Sequence, residues 1–222
     1  MSIGRAEAEA LLAQAGGLNP GSWVAHSMLV AHAALRIATA ADLDDPDRAY
    51  TLGLLHDIGR RYGPSHIKHA TDGYGYLLRL GFSDHAAVCL SHSFPTRRLE
   101  SYFGTIDIGG AELRHLERYL SEAQYTDYDK LIQLCDHLAS ARGYCVVEQR
   151  MVDVALRYGV GDVHREKWAE VIRIRQSFDS RVGGSVYSFL PGVAPGTFQT
   201  GVLLAVTPDD PEYAVLQGAA IT

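Results

Sequence analysis

Apolar residues recur at intervals of three and four along most of residues 5–180, which is the spacing of one face of an α-helix. Long runs of alternating β-branched residues, the pattern of a half-buried strand, are missing from this region. The pattern therefore predicts an all-α fold. The predicted helices span residues 5–15, 22–40, 46–59, 65–80, 84–92, 111–122, 128–142, 147–158 and 165–180.

Several predicted helices carry their own start or stop signals. The segment Asn19-Pro20-Gly21-Ser22 precedes the second helix, and Asp45-Pro46 precedes the third. Gly59 and Gly81 follow the third and the fourth. Since such residues favour turns and helix ends, we expect short, closely connected helices that form a compact bundle.

The chain changes character after residue 182. Glycine and proline become frequent, and a strand-like run follows from Gly201 to Thr207. We expect one helical domain over residues 1–182, with its main motifs in 20–145. Residues 183–222 are interpreted as a C-terminal appendage that is partly extended, packed on the domain or a partner, or mobile.

Charge and cysteine content limit the classes of function. The 222 residues hold 20 Lys plus Arg and 26 Asp plus Glu, a formal net charge of -6. No broad basic surface is expected, which argues against generic nucleic-acid or membrane binding. No stretch is long and apolar enough to span a bilayer, and the amino terminus does not resemble a signal peptide. Three widely spaced cysteines without a CxxC pair indicate a reducing cytoplasm.

The segment from Leu54 to Arg61, LLHDIGRR, places a histidine and a carboxylate side by side at the end of an apolar helix. An ionised carboxylate buried without a partner is so costly that it shifts its pKa, pairs with a cation or binds a metal. His56 and Asp57 are therefore candidate metal ligands. Arg60 and Arg61 can be read as substrate-binding groups or simply as cations at a helix carboxyl end.

Other polar residues lie on apolar helix faces. His26 shares a face with Trp23 and Leu29, and Asp136 lies at the edge of an apolar face beside Ile132. Two imidazoles and two carboxylates suit iron, manganese, cobalt or zinc and leave positions open for water and a phosphate oxygen. Further histidines on helices between His56 and Asp136 could complete a second metal site; these are His66, His69 and His92.

Each of these residues also has a structural interpretation. A single buried histidine is more often hydrogen-bonded than metal-bound, and Asp136 could cap a helix or pair with Arg142. His85, His115, His137 and His164 are left as structural residues. The metal interpretation depends on the ordered set rather than on any one member.

That ordered set, His26, then His56-Asp57, then Asp136, resembles the HD-domain superfamily of metal-dependent phosphohydrolases. The flanking segments LLHDIGRR and DKLIQLCDHLAS are also similar to this family, and the resemblance covers roughly residues 20–145. It implies a compact helical HD-domain bundle with one or two divalent ions. It adds His69 and His92 as ligands of a second ion, with His66 as the substitute for His69.

The resemblance implies hydrolysis of a nucleotide-like or other small phosphoester by metal-activated water. Asp57 would be the essential ligand, bridging if two ions bind, and Arg60 would assist catalysis. Arg60, Arg61 and Lys68 would bind the substrate phosphate. The partner is then a small phosphorylated molecule, and the pattern leaves room for a homodimer.

The sequence differs from two branches of the family, which narrows the range of expected substrates. The segment Ser91-His92-Ser93-Phe94-Pro95 differs from the branch that cleaves diadenosine polyphosphates, and the GYP motif of cyclic-dinucleotide hydrolases is missing. Two alternatives stay open: a di-iron oxygenase on the same scaffold, and a non-catalytic nucleotide-binding regulatory module. Oxygen consumption with ferrous iron separates the first from a hydrolase.

Overall fold

The computed structural model describes residues 3–140 and 143–198 of the chain, and most of this part is helical. Nine of its helices match the nine predicted ones within a few residues, which confirms the predicted all-α class. A tenth short helix follows near the carboxyl end. The helices are α1 (Arg5–Leu18), α2 (Ser22–Ala40), α3 (Pro46–Leu55), α4 (Lys68–Arg79), α5 (Ser83–Ser91), α6 (Gly110–Glu122), α7 (Asp127–Leu138), α8 (Val147–Tyr158), α9 (Asp162–Arg181) and α10 (Val193–Phe198).

Helix starts follow from local capping. The Asp45 side chain accepts a hydrogen bond from the backbone N–H of Arg48, and Pro46 occupies the first turn of α3. Thr126 and Asp129 form a reciprocal capping box at the start of α7. Both arrangements satisfy N–H groups that the first turn of a helix leaves without a partner.

The predicted third helix, 46–59, was too long. Helix α3 ends at Leu55, and the chain then tightens into a 3₁₀ turn over Ile58–Tyr62. Gly59 lies inside this turn because its backbone meets α4: a Cβ at residue 59 would be 1.9 Å from the carbonyl oxygen of His69. The glycine therefore permits close packing and does not serve as a helix stop.

The predicted helix 128–142 was also too long. Helix α7 ends at Leu138, where strand β1 (Ala139–Ser140) pairs antiparallel with strand β2 (Gly143–Tyr144). The Tyr144 ring is buried and its hydroxyl donates to the carbonyl oxygen of Leu29 over 3.0 Å. This contact in the core favours a reversal of the chain over another helical turn.

The largest core cluster joins α2, α3, α7, α8 and α9. Val186 and Leu190 are buried in the same cluster, so the described part of the predicted appendage packs on the bundle. The strand-like run predicted for Gly201–Thr207 lies outside the described residues. None of the described helices combines the length and apolar character needed to cross a membrane.

Candidate metal centre

Five segments of the bundle bring the six predicted ligands to one place. His26 comes from α2, His69 from α4, and Asp136 from α7. His92 directly follows α5, and His56-Asp57 lies where α3 gives way to the 3₁₀ turn. The close approach at Gly59 places this turn against α4, which brings Asp57 to His69.

One group of potential ligands consists of His26, His56 and Asp57, with one ligand atom of each within 4.8 Å of the others. Asp136 joins this group, because its Oδ1 is 2.9 Å from His26 Nε2 and 3.9 Å from His56 Nε2. The group thus offers two imidazoles and two carboxylates, the donor set that the sequence indicated.

A second group consists of Asp57, His69 and His92, again within 4.8 Å of one another. Asp57 Oδ1 is 3.1 Å from His69 Nε2 and 3.8 Å from His92 Nε2. The other oxygen, Oδ2, is the one that lies nearest His56 Nε2, at 3.9 Å. Asp57 therefore belongs to both groups and turns a different oxygen to each.

Backbone carbonyls orient three of these imidazoles. The Nδ1 of His56 donates to the carbonyl oxygen of Gly53 over 2.7 Å, and that of His92 donates to Cys89 over 2.9 Å. The Nδ1 of His69 donates to the carbonyl oxygen of His66. Because a carbonyl can only accept, each ring carries its hydrogen on Nδ1 and presents the Nε2 lone pair to the centre.

Within the part of the chain that the structure describes, these lone pairs lack adequate partners. His69 Nε2 and His92 Nε2 lie 3.3 Å apart, two acceptors facing each other. His56 Nε2 is buried and has no hydrogen-bond partner among residues 3–140 and 143–198. Facing acceptors repel and a buried acceptor without a partner is costly, whereas a cation between them relieves both problems. Nitrogen and carboxylate donors fit a borderline divalent ion such as iron, manganese, cobalt or zinc.

Both carboxylates are held in the ionised form. Burial alone would raise the pKa of Asp57, but the positive charge of Arg60 holds it well below its usual range. Burial likewise opposes ionisation of Asp136, and the hydrogen bond with His26 keeps its pKa well below normal. Ionised carboxylates are the forms that bind metal.

Burial favours the neutral, metal-binding form of two of the imidazoles, those of His92 and His26. Burial, and to a smaller extent the nearby His56, lowers the pKa of His92 to about 3. Burial also lowers the pKa of His26, although its hydrogen bond with Asp136 works in the opposite direction. Neutral imidazoles beside ionised carboxylates are the forms that a divalent ion needs in its ligands.

The cluster opens into a pocket of about 330 Å³. His56 lies buried behind it, while the other five predicted ligands line it. Arg60 also lines the pocket, and its Nε donates to Asp57 Oδ2 over 2.6 Å.

Three residues that the sequence suggested do not lie at the pocket. Arg61 stacks over the ring of Tyr76 at 3.9 Å, because successive residues of a 3₁₀ turn point about 120° apart and only Arg60 faces the centre. Lys68 lies 3.4 Å from Asp72 and 3.5 Å from Glu112. His66 contributes its carbonyl to His69 and does not join either ligand group. Arg142, considered as a partner of Asp136, lies outside the described residues.

Helices α8 and α9 supply pocket residues that the sequence reasoning missed. They bring cations and large side chains over the cluster, and His137, left as a structural residue, lines the same space. A usable signal existed for one of them, since Lys167 begins the buried stripe Lys167, Val171, Ile174 and Phe178 along α9. The residues contributed by the two helices are Arg150, Met151, Val154, Arg157, Tyr158, Lys167 and Trp168.

The fold and the site define an all-α bundle with a buried His/Asp centre suited to divalent metal. A family model described as the HD domain matches residues 23–141, more than half of the chain, and the chain therefore belongs to the HD-domain family. This confirms the resemblance seen in the sequence. The match contains all six candidate ligands and ends before α8 and α9. No curated protein and no solved structure matches the chain significantly.

Proposed function

We propose that the protein is a metal-dependent phosphohydrolase that acts on a small, nucleotide-like phosphoester. HD-domain proteins are generally metal-dependent hydrolases, which supports the class of reaction. The observation that carries the proposal is Asp57, whose two carboxylate oxygens face different groups of histidines at the pocket. A carboxylate between two groups of ligands is suited to a pair of ions that together bind a phosphoryl group.

The candidate ligands divide naturally between two ions. His26, His56, Asp57 and Asp136 would hold one ion, and Asp57, His69 and His92 the other. When bound, the metal lowers the pKa of water towards neutrality and neutralises charge on the phosphoryl oxygens. Iron, manganese, cobalt and zinc all suit these donors.

Arg60 performs two tasks through one side chain. Its Nε bonds to Asp57 Oδ2 and fixes the orientation of that carboxylate, which must serve both groups of ligands. Arg60 also lines the pocket, where the N–H groups that do not bond to Asp57 can bond to a phosphate oxygen. Arg60 is therefore the residue that couples the arrangement of the ligands to binding of the substrate phosphate.

The rest of the pocket suits a nucleotide-like molecule. Arg150 and Arg157 share one carboxylate, that of Asp153, at 3.2 and 2.8 Å, so the two cations keep a net positive charge beside the pocket. In a protein whose formal net charge is -6, the attraction for an anion is therefore local. Aromatic rings supply flat surfaces on which a base can stack. The aromatic residues that line the pocket are Trp23, Tyr102, Phe103, Tyr158 and Trp168.

The test is a panel of phosphomonoesters and nucleotides assayed with manganese, iron, cobalt or zinc, with release of inorganic phosphate as the readout. We expect metal-dependent hydrolysis, with nucleotides preferred over phosphate esters that lack an aromatic ring. Oxygen uptake with ferrous iron is recorded on the same substrates.

Two results would overturn the proposal in different directions. Substrate-dependent oxygen uptake without phosphate release would identify an oxygenase. Nucleotide binding without turnover under any of the four metals would identify a regulatory module.

A further inference from the structure

Lys167 is an unusual residue for the interior of a protein. It is only 4% exposed, although lysine is rarely fully buried unless it is paired. It lies on α9, outside the segment matched by the HD-domain model, and heads the helix face that packs into the main core. A cation at this position requires a reason beyond packing.

The surroundings of the Lys167 ammonium leave part of its bonding capacity unused. Nζ donates to the carbonyl oxygen of Ser93 over 2.9 Å and lies 5.1 Å from the centre of the Phe103 ring. No carboxylate in residues 3–140 or 143–198 lies within salt-bridge distance of it. An ammonium has three N–H donors and a full charge, of which a neutral carbonyl and a ring face satisfy only a part.

The position of this ammonium connects it to the candidate metal centre. Ser93 directly follows His92, and Lys167 lines the same pocket as His92 and Asp136. Burial lowers the pKa of Lys167 to about 8, although Asp136 acts in the opposite direction. An anion arriving at the centre would therefore meet a partly desolvated cation, which binds more strongly than an exposed lysine.

We propose that Lys167 is a substrate-binding residue that donates to a phosphoryl oxygen of a substrate held at the metal centre. The inference rests on the proposed function and adds a specific phosphate contact from α9. Helix α9 thus contributes directly to recognition of the phosphate. A purely structural lysine would need only to donate to Ser93, a task that a neutral donor can perform.

The experiment measures binding of inorganic phosphate to the manganese-loaded full chain by calorimetry. Lys167→Gln keeps an N–H donor without the charge, and Lys167→Met fills similar volume with neither. Lys130→Gln, at an exposed lysine of α7, is the matched control. Thermal unfolding and metal content are recorded for each variant.

We expect both Lys167 variants to weaken phosphate binding by about tenfold or more, because a hydrogen bond from a charged donor is lost, while Lys130→Gln stays at the wild-type value. Metal content should be unchanged. The proposal is wrong if Lys167→Gln binds phosphate like the control, if the wild type binds none, or if neither variant folds.

The same variants separate this inference from the proposed function. A wild type that hydrolyses phosphoesters, with Lys167→Gln indistinguishable from Lys130→Gln in phosphate binding, refutes the inference and leaves the hydrolase standing. A wild type that hydrolyses nothing but binds phosphate through Lys167 refutes the hydrolase and leaves the inference standing.

Discussion

The segment matched by the HD-domain model, residues 23–141, and the helices that follow it contribute differently to the pocket. The matched segment supplies all six candidate metal ligands, and three of its four ligand histidines are oriented by carbonyls only three residues away in the chain. Helices α8 and α9 supply no ligand of either group, but they bring cations and aromatic rings to the same space.

The two regions also differ in what positions their side chains. The orientation of His56, His69 and His92 is a local property, because each ring bonds to a carbonyl of its own chain segment. The contact of Lys167 with Ser93 joins residues 74 positions apart and depends on how α9 packs. We infer that metal binding is a property of the matched segment, whereas substrate recognition also depends on the packing of the helices that follow.

The largest expected effect comes from Asp57→Asn. The amide has the shape of the carboxylate but lacks the charge that both groups of ligands share, so hydrolysis should fall by at least about 10³-fold. The measurement is kcat/KM on the best substrate of the panel. Asp162→Asn, at an exposed aspartate of α9, should retain wild-type activity; a comparable loss in both variants would show that the effect is not specific to the centre.

Gly59→Ala tests whether local packing sets the ligand geometry. A Cβ at this position would lie 1.9 Å from the carbonyl oxygen of His69 and 2.5 Å from the backbone nitrogen of Gly73, so the backbone must move. We expect the free energy of unfolding to fall by about 1 to 3 kcal/mol, together with reduced metal content. Denaturant titration and elemental analysis measure the two effects.

The control for that substitution is Gly17→Ala in α1, where a Cβ would meet nothing within 4 Å. It should leave stability unchanged or raise it by up to about 1 kcal/mol, since alanine favours the helix. Equal stability of Gly59→Ala and the wild type would contradict the close approach of the 3₁₀ turn to α4.

The double variant Arg150→Gln, Arg157→Gln tests the role of α8. Because these cations line the pocket but are not ligands, KM for an anionic phosphoester should rise by about tenfold at unchanged metal content. Arg165→Gln, at an exposed arginine of α9, is the control. Loss of metal with an unchanged KM would contradict the account, because it would show that α8 supports metal binding and not substrate binding.

The smallest expected effect concerns a histidine away from the centre. Burial lowers the pKa of His85, which is hydrogen-bonded to Thr51, to about 4. Since an unfolded histidine titrates near 6.5, the unfolded state binds more protons below that pH, and stability is lost as pH falls from 6.5 towards 4.

His85→Gln should remove this contribution. Between pH 6.5 and 5.5 the wild type should lose about 1 kcal/mol more unfolding free energy than the variant. Urea titrations at the two pH values supply the comparison, and parallel losses in both proteins would refute the assignment to His85.

The sequence predicted most of what depends on local pattern. Helical spacing located the nine main helices, and polar residues in apolar runs, together with the resemblance to the family, pointed to six side chains that the fold brings together. The sequence did not predict the pairing of strands β1 and β2, because strands of two residues are too short to show an alternating pattern.

For charged residues, the direction in which the side chain points was harder to predict from the sequence than the kind of ligand it could bind. Arg60 and Arg61 are equivalent in sequence, yet the 3₁₀ turn sends one to the pocket and the other to Tyr76. Lys68 is neutralised by acids from two helices. The sequence did not predict Lys167 as a pocket residue, because a charged residue at the start of an apolar stripe is ordinarily expected to be exposed. Only the packing of α9 near Ser93 buries it.

The most direct test of the central claim, that Asp57 joins two groups of metal ligands, is elemental analysis of protein purified without chelator. Wild type, Asp57→Ala and His92→Ala are compared at known protein concentration. We predict a metal-to-protein ratio near two for the wild type, near one for His92→Ala and near zero for Asp57→Ala. A wild type that holds no metal after reconstitution, or an Asp57→Ala variant that keeps its full content, would contradict the account.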